Sequence, residues 1–122
     1  MILVDTSVWI DHLRHANGML VEILGQSRVV THPLIVAELA LGSVAPRQQL
    51  LEYLSDLPGL ASVHHDELIA FIEGQTLYGR GIGVVDAHLL AAVRIAPGAL
   101  LWTADRNLAE VAAEMGLSAP WS

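Results

Sequence analysis

The chain opens with MILVDTSVWIDHLR (residues 1–14), and the reading of this stretch decides the fold. Met1 to Val4 is β-prone, apolar and too short for a helix, and it ends at an acid, Asp5. A brief continuous apolar run of this kind marks a strand buried on both faces. Ser7 to Arg14 then fits a helix, with Thr6 as its N-cap. The same order returns near the other end. Ala99 to Thr103 reads as a strand, Asp105 follows it, and Asn107 to Met115 reads as a helix that Gly116 terminates.

Working outward from these two units, Val29 to Thr31 is a short strand. Pro33 then stands where proline is tolerated, in the first turn of a helix closed by Gly42. Pro46 opens another helix through about Leu57, and Pro58-Gly59 breaks the pattern. Leu60 to Val63 reads as a further short strand, and Asp66 to Tyr78 as a helix before the Gly79-Arg80-Gly81 turn. Val84 to Ile95 is a helix ended by Pro97-Gly98. The segment between Arg14 and Val29 receives no element. Short strands alternating with helices predict an α/β fold with a mostly parallel sheet covered on both faces. Ligands of such sheets bind beyond the carboxyl ends of the strands, where Asp5 and Asp105 fall.

At 122 residues the chain has the length of one domain, 1–122, and 53% hydrophobic against 16% charged residues supplies a core. The apolar excess also points to a partner surface. No apolar run is long enough for a membrane span, and Met1 to Val4 lacks the pattern of a signal peptide, so the expected location is cytoplasmic. Without Cys there are no disulfides, thiolate nucleophiles or Cys-based zinc sites. Without Lys there is no Walker phosphate loop and no Schiff-base chemistry. A net charge of −7 is the wrong sign for neutralising phosphates, unless bound metal ions reverse the local field.

The most informative positions are two acids on otherwise apolar helices. Leu34, Ile35, Leu41 and Gly42 lie one turn from Glu38, so its carboxylate is expected to project from a greasy face. Ile82, Gly83, Leu89 and Leu90 stand in the same relation to Asp86. An unpaired buried carboxylate is costly, and neither face offers a basic partner. A divalent cation among Asp5, Glu38, Asp86 and Asp105 would offset their repulsion, and an all-oxygen donor set selects Mg²⁺ or Mn²⁺ over zinc. Such a site suits phosphodiester hydrolysis. Each acid also has a plainer reading: a turn or helix cap for Asp5 and Asp105, a solvent-facing position for Glu38, a favourable helix-start charge for Asp86. His12 and His15, one turn apart, read as surface residues, and the glycines at 79, 81 and 83 as a turn with close helix packing.

Val4-Asp5-Thr6-Ser7, Glu38 in the helix after the second strand, Val85-Asp86-Ala87-His88-Leu89-Leu90-Ala91-Ala92 and Thr103-Ala104-Asp105 resemble, in order and spacing, a PIN-domain ribonuclease of the VapC toxin type. The resemblance spans essentially the whole chain. It implies a three-layer α/β/α PIN-like fold, endonucleolytic cleavage of RNA, Mg²⁺ or Mn²⁺ held by Asp5, Glu38, Asp86 and Asp105, and support from Thr6, Ser7 and Thr103. A cognate antitoxin protein and a toxin homodimer are implied as well. Many such relatives carry a further acid two positions after the last one, where this chain has Asn107, able to coordinate only through an uncharged carbonyl. Two other readings compete: a catalytically silent PIN-like binding module, and a Mg²⁺-dependent phosphohydrolase of small substrates.

Overall fold

The structure, a computed structural model, describes residues 1–122. Ile2–Val4 (β1), Val29–Val30 (β2) and Leu100–Trp102 (β3) form one parallel sheet in the order β2-β1-β3. Ile2 pairs with Val29 on one side and Leu100 on the other, so β1 is the central strand. All three of its residues are buried, as a strand covered on both faces requires. Helices α1 (Thr6–Arg14) and α2 (Gly18–Gly25) connect β1 to β2. The longer return to β3 contains α3 (Pro33–Leu41), α4 (Arg47–Ser55), α5 (His65–Gln75) and α6 (Val84–Ile95), and α7 (Arg106–Glu114) follows β3. The chain leaves β1 towards one neighbour and later returns to its other side. This reversal opens a crevice at the carboxyl ends of β1 and β3.

One apolar cluster joins the strands to the helices, from Ile2, Leu3 and Val4 through Ile35, Leu54, Leu89 and Leu90 to Leu108 and Val111. Pro33 opens α3 and Gly42 caps its end, as the sequence indicates. Gly116 follows α7 in the left-handed region at φ 70°, where its N–H reaches Ala113 O and that of Leu117 reaches Ala112 O.

Helix α2 is absent from the sequence reading. Asn17 caps it by accepting from Leu20 N at 3.0 Å, and Leu20 and Ile23 are wholly buried one turn apart. Glycines at both of its ends mask that pattern by lowering helix propensity. The expected strand at Leu60 to Val63 does not form. A single parallel bridge between Thr31 and Gly59 covers the outer edge of β2, and beyond it Ala61 and Ser62 face solvent with no apolar face to bury. Opposite, Leu101 bridges to Ser118, so the C-terminal segment covers the β3 edge. Helix α5 stops at Gln75 rather than Tyr78 because Thr76 turns left-handed at φ 53°.

Candidate active site

Asp5 lies in the crevice, 6% exposed, at the N-cap position of α1. Its carboxylate does not cap the helix. The N–H groups of Val8 and Trp9 both donate to the Asp5 backbone carbonyl, at 3.0 and 3.3 Å, which leaves the side chain free. Two hydroxyls donate to its Oδ2 instead, Ser7 Oγ at 2.7 Å and Thr103 Oγ1 at 2.8 Å. Each hydroxyl has one proton and gives it to Asp5, so each accepts elsewhere: Ser7 Oγ from Ala104 N, Thr103 Oγ1 from Asp105 N, both at 3.0 Å. The network welds the end of β3 to the end of β1. Both donors converge on Oδ2, which leaves Oδ1 to face another partner. Thr6 is the first residue of α1 rather than its cap, and its hydroxyl donates to Glu38 Oε1 at 2.8 Å.

The other three acids take different positions. Glu38 departs from the expected greasy setting, because α3 turns Ile35 and Leu39 into the core and leaves Glu38 on its exposed side. Thr6 ties it to the start of α1. Asp105 is exposed and caps α7, accepting from Leu108 N at 2.9 Å. Asp86 is half-buried in the first turn of α6, where Gly83 N donates to its Oδ2 at 3.1 Å.

Asp86 reports how these groups sit together. Burial pushes its carboxyl above the ordinary range, and the charges of Asp5, Asp105 and Glu38 push it further, against the opposing Gly83 hydrogen bond. Four acids scattered over 101 residues of sequence therefore share one field. No arginine pairs with any of them; the one ion pair is Arg80 with Glu114, at 2.7 Å.

One buried residue near this end escaped the sequence reading. His32 is fully buried at the N-cap of α3, where its Nδ1 accepts from Leu34 N at 3.0 Å, so the proton of the neutral ring sits on Nε2. Burial, and secondarily the charge of His88, lower its pKa to about 4. His88, assigned no role from sequence, faces it with ring centroids 6.4 Å apart. The signal available was the His-Pro pair at a helix start. His12, read as a surface residue, accepts from Asn17 N and braces the α1–α2 turn.

A PIN domain family model matches residues 2–114. Ribonuclease VapC32 of Mycobacterium tuberculosis, from strains CDC 1551 / Oshkosh and ATCC 25618 / H37Rv, is 48% identical over 118 residues, covering 97% of this chain and 95% of the relative. The crystal structure of PAE2754 from Pyrobaculum aerophilum superposes with a TM-score of 0.62 over 90% of this chain and 83% of that one; at 23% identity it speaks for the fold alone. With near full-length similarity and the parallel sheet both in place, the chain belongs to the PIN-domain family, as a member of its VapC type.

Proposed function

We propose that the chain, acting as one domain over 1–122, is a metal-dependent endoribonuclease and the toxin of a toxin–antitoxin pair. The observation that carries this reading is the convergence of Asp5, Glu38, Asp86 and Asp105 on one field with no side-chain cation among them. The donor set is all oxygen, which suits Mg²⁺, with Mn²⁺ as an alternative. No three acids or histidines stand close enough to enclose an ion unaided. Mg²⁺ needs only one or two of these carboxylates, because it completes its shell with water and substrate phosphate.

In this reading Asp5 and Asp86 hold the ion most directly, with Glu38 and Asp105 at its flanks. When bound, the metal supplies Lewis-acid stabilisation of charge on phosphorus and a water of lowered pKa. The chain supplies the orientation. Ser7 and Thr103 fix the Asp5 carboxylate, Thr6 fixes Glu38, and Gly83 N–H fixes Asp86. Arg47 is engaged by the Ala40 carbonyl, Arg80 by Glu114, and Arg28 by Gln26 and the Trp121 ring. Exposed Arg106, next to Asp105 at the start of α7, is left to meet an RNA phosphate.

The test is digestion of RNA containing unpaired segments, run beside a small phosphoester, with Mg²⁺, with Mn²⁺ and with excess EDTA. RNA cleavage that the chelator stops supports the proposal. Cleavage undiminished in EDTA removes the metal, turnover of the small ester alone favours a phosphohydrolase, and no turnover of either favours a silent binding module. Exposed Leu41, Ile95 and Tyr53 suit contacts with a second copy and with an antitoxin. Inhibition by the product of a neighbouring gene, and light scattering on the pure protein, test those two contacts.

A further inference from the structure

Asn107 stands where the family resemblance places a further acid in many relatives, and its surroundings give it a different task. Its Nδ2 donates to the Gly81 carbonyl oxygen at 3.3 Å, across the crevice side of α7 to the turn between α5 and α6. A carbonyl oxygen can only accept, so this contact turns the amide nitrogen towards Gly81. The fit is close. A Cβ at Gly81 would lie 2.6 Å from Asn107 Nδ2 and 3.3 Å from its Cγ, and Gly81 itself holds φ +76°, in the region that favours glycine. The same turn has a second tether to α7, the Arg80–Glu114 ion pair. Two residues after Gly81 comes Gly83, whose N–H holds the Asp86 carboxylate. Two residues before Asn107 comes Asp105, whose carboxylate caps α7.

We infer that Asn107 is a positioning residue: its amide clamps the 79–83 turn to the start of α7 and thereby sets Asp86 relative to Asp105. An aspartate could not do this, because a carboxylate facing the Gly81 carbonyl has no proton to give and would be repelled. Asn at this position is thus the residue the turn requires, rather than a weakened ligand. The metal consequence rests on the function proposed above; the clamp itself does not.

The experiment compares wild type, Asn107→Ala and Asn107→Asp, first without metal, by NMR of Gly83 amide exchange, and then by the melting shift induced by Mg²⁺ or Mn²⁺. The clamp predicts that both variants speed Gly83 exchange in the metal-free protein, by roughly five-fold, the net worth of one hydrogen bond. Exchange that stays at the wild-type rate overturns it, since a residue acting only as a ligand leaves the metal-free turn untouched. Positioning further predicts that Asn107→Ala raises the metal concentration for half-maximal shift by about ten-fold, as loss of an outer partner does. Faster exchange with unchanged metal response reduces the clamp to a fold contact and sinks the positioning role. If wild type itself shows no metal-induced shift, the metal reading of the site falls, while Gly83 exchange still decides the clamp. Gly81→Ala supplies a check that is insensitive to its own backbone strain. It should lower the melting temperature less in the Asn107→Ala background than in wild type, because the side chain its Cβ meets is gone. Equal losses in both backgrounds count against the contact.

Discussion

Asp5 and Asp105 occupy the same place in the chain, each between the end of a strand and the first turn of a helix, and their carboxylates do opposite work. At Asp105 the helix takes an oxygen for itself, through Leu108 N. At Asp5 the first-turn N–H groups turn to the backbone carbonyl, and the side chain is held by Ser7 and Thr103 instead. The cause lies in the neighbours. Ser7, two residues on, offers a hydroxyl inside the crevice, and β3 delivers Thr103 beside it; Asp105 has Arg106 and Asn107 in the corresponding places and faces solvent. A helix-capping carboxylate and one held by strand and helix hydroxyls thus share one local sequence, and the packing of the adjacent strand separates them.

Replacing each of the two acids by Asn would test that separation most strongly. On the function proposed above, Asp5→Asn should reduce RNA cleavage by about a thousandfold, several kcal/mol of transition-state stabilisation. Asp105→Asn, which keeps its cap, should reduce cleavage far less. Equal losses in single-turnover assays would make the two acids equivalent in function despite their different settings.

Acid stability should follow His32. Its folded pKa of about 4 lies below the ordinary 6.5, so the unfolded chain binds the proton first as pH falls. The stabilisation is complete above pH 6.5 and is lost between 6.5 and about 4, up to roughly 3 kcal/mol. Asp86 acts with the opposite sign: its folded pKa is raised, so its charge penalty is relieved as pH falls through that raised value towards 3.8. Urea unfolding across this range should show stability falling with pH. His32→Asn, which can still accept from Leu34 N, should flatten the slope, and an unflattened slope would remove His32 as its source.

Asp86, between the buried and the exposed acid in setting, should respond to both metal and charge. In EDTA, Asp86→Asn removes a disfavoured charge and should melt above wild type. In Mg²⁺ the order should reverse, because a ligand that binds only the folded state adds about 2.7 kcal/mol at one hundred times its dissociation constant. An equal rise in both melting temperatures would return Asp86 to a plain helix-start residue. The smallest effect belongs to the cap. Asp105→Ala should lower stability by about 1 kcal/mol while Asp105→Asn leaves it nearly unchanged, so similar denaturant midpoints for the two variants would remove the capping role.

Much of this is legible in the residues. The apolar run before Asp5, Pro33 and Gly42 around α3, and Gly116 after α7 mark their elements through local geometry alone. Asp86 stands out in the sequence by its apolar neighbours, and its half-buried position raises its pKa. Glu38 is misjudged in burial because a nine-residue helix that is apolar on nearly every side does not reveal which side meets the core. Leu60 to Val63 is misjudged because strand formation there needs a neighbour along its whole length, and only Gly59 finds one.

The sequence by itself determined the periodicities, the breaks and the inventory of acids, since these depend on contacts within a few residues. Only the tertiary structure decided which acid is buried, that Thr103 serves Asp5 from 98 residues away, and that Asn107 faces Gly81. Those outcomes depend on contacts between segments distant in sequence, the Asp5–Thr103 bond on the pairing of β1 with β3. A local pattern cannot carry that information, because the same strand–acid–helix order fits both roles until the neighbouring strand arrives.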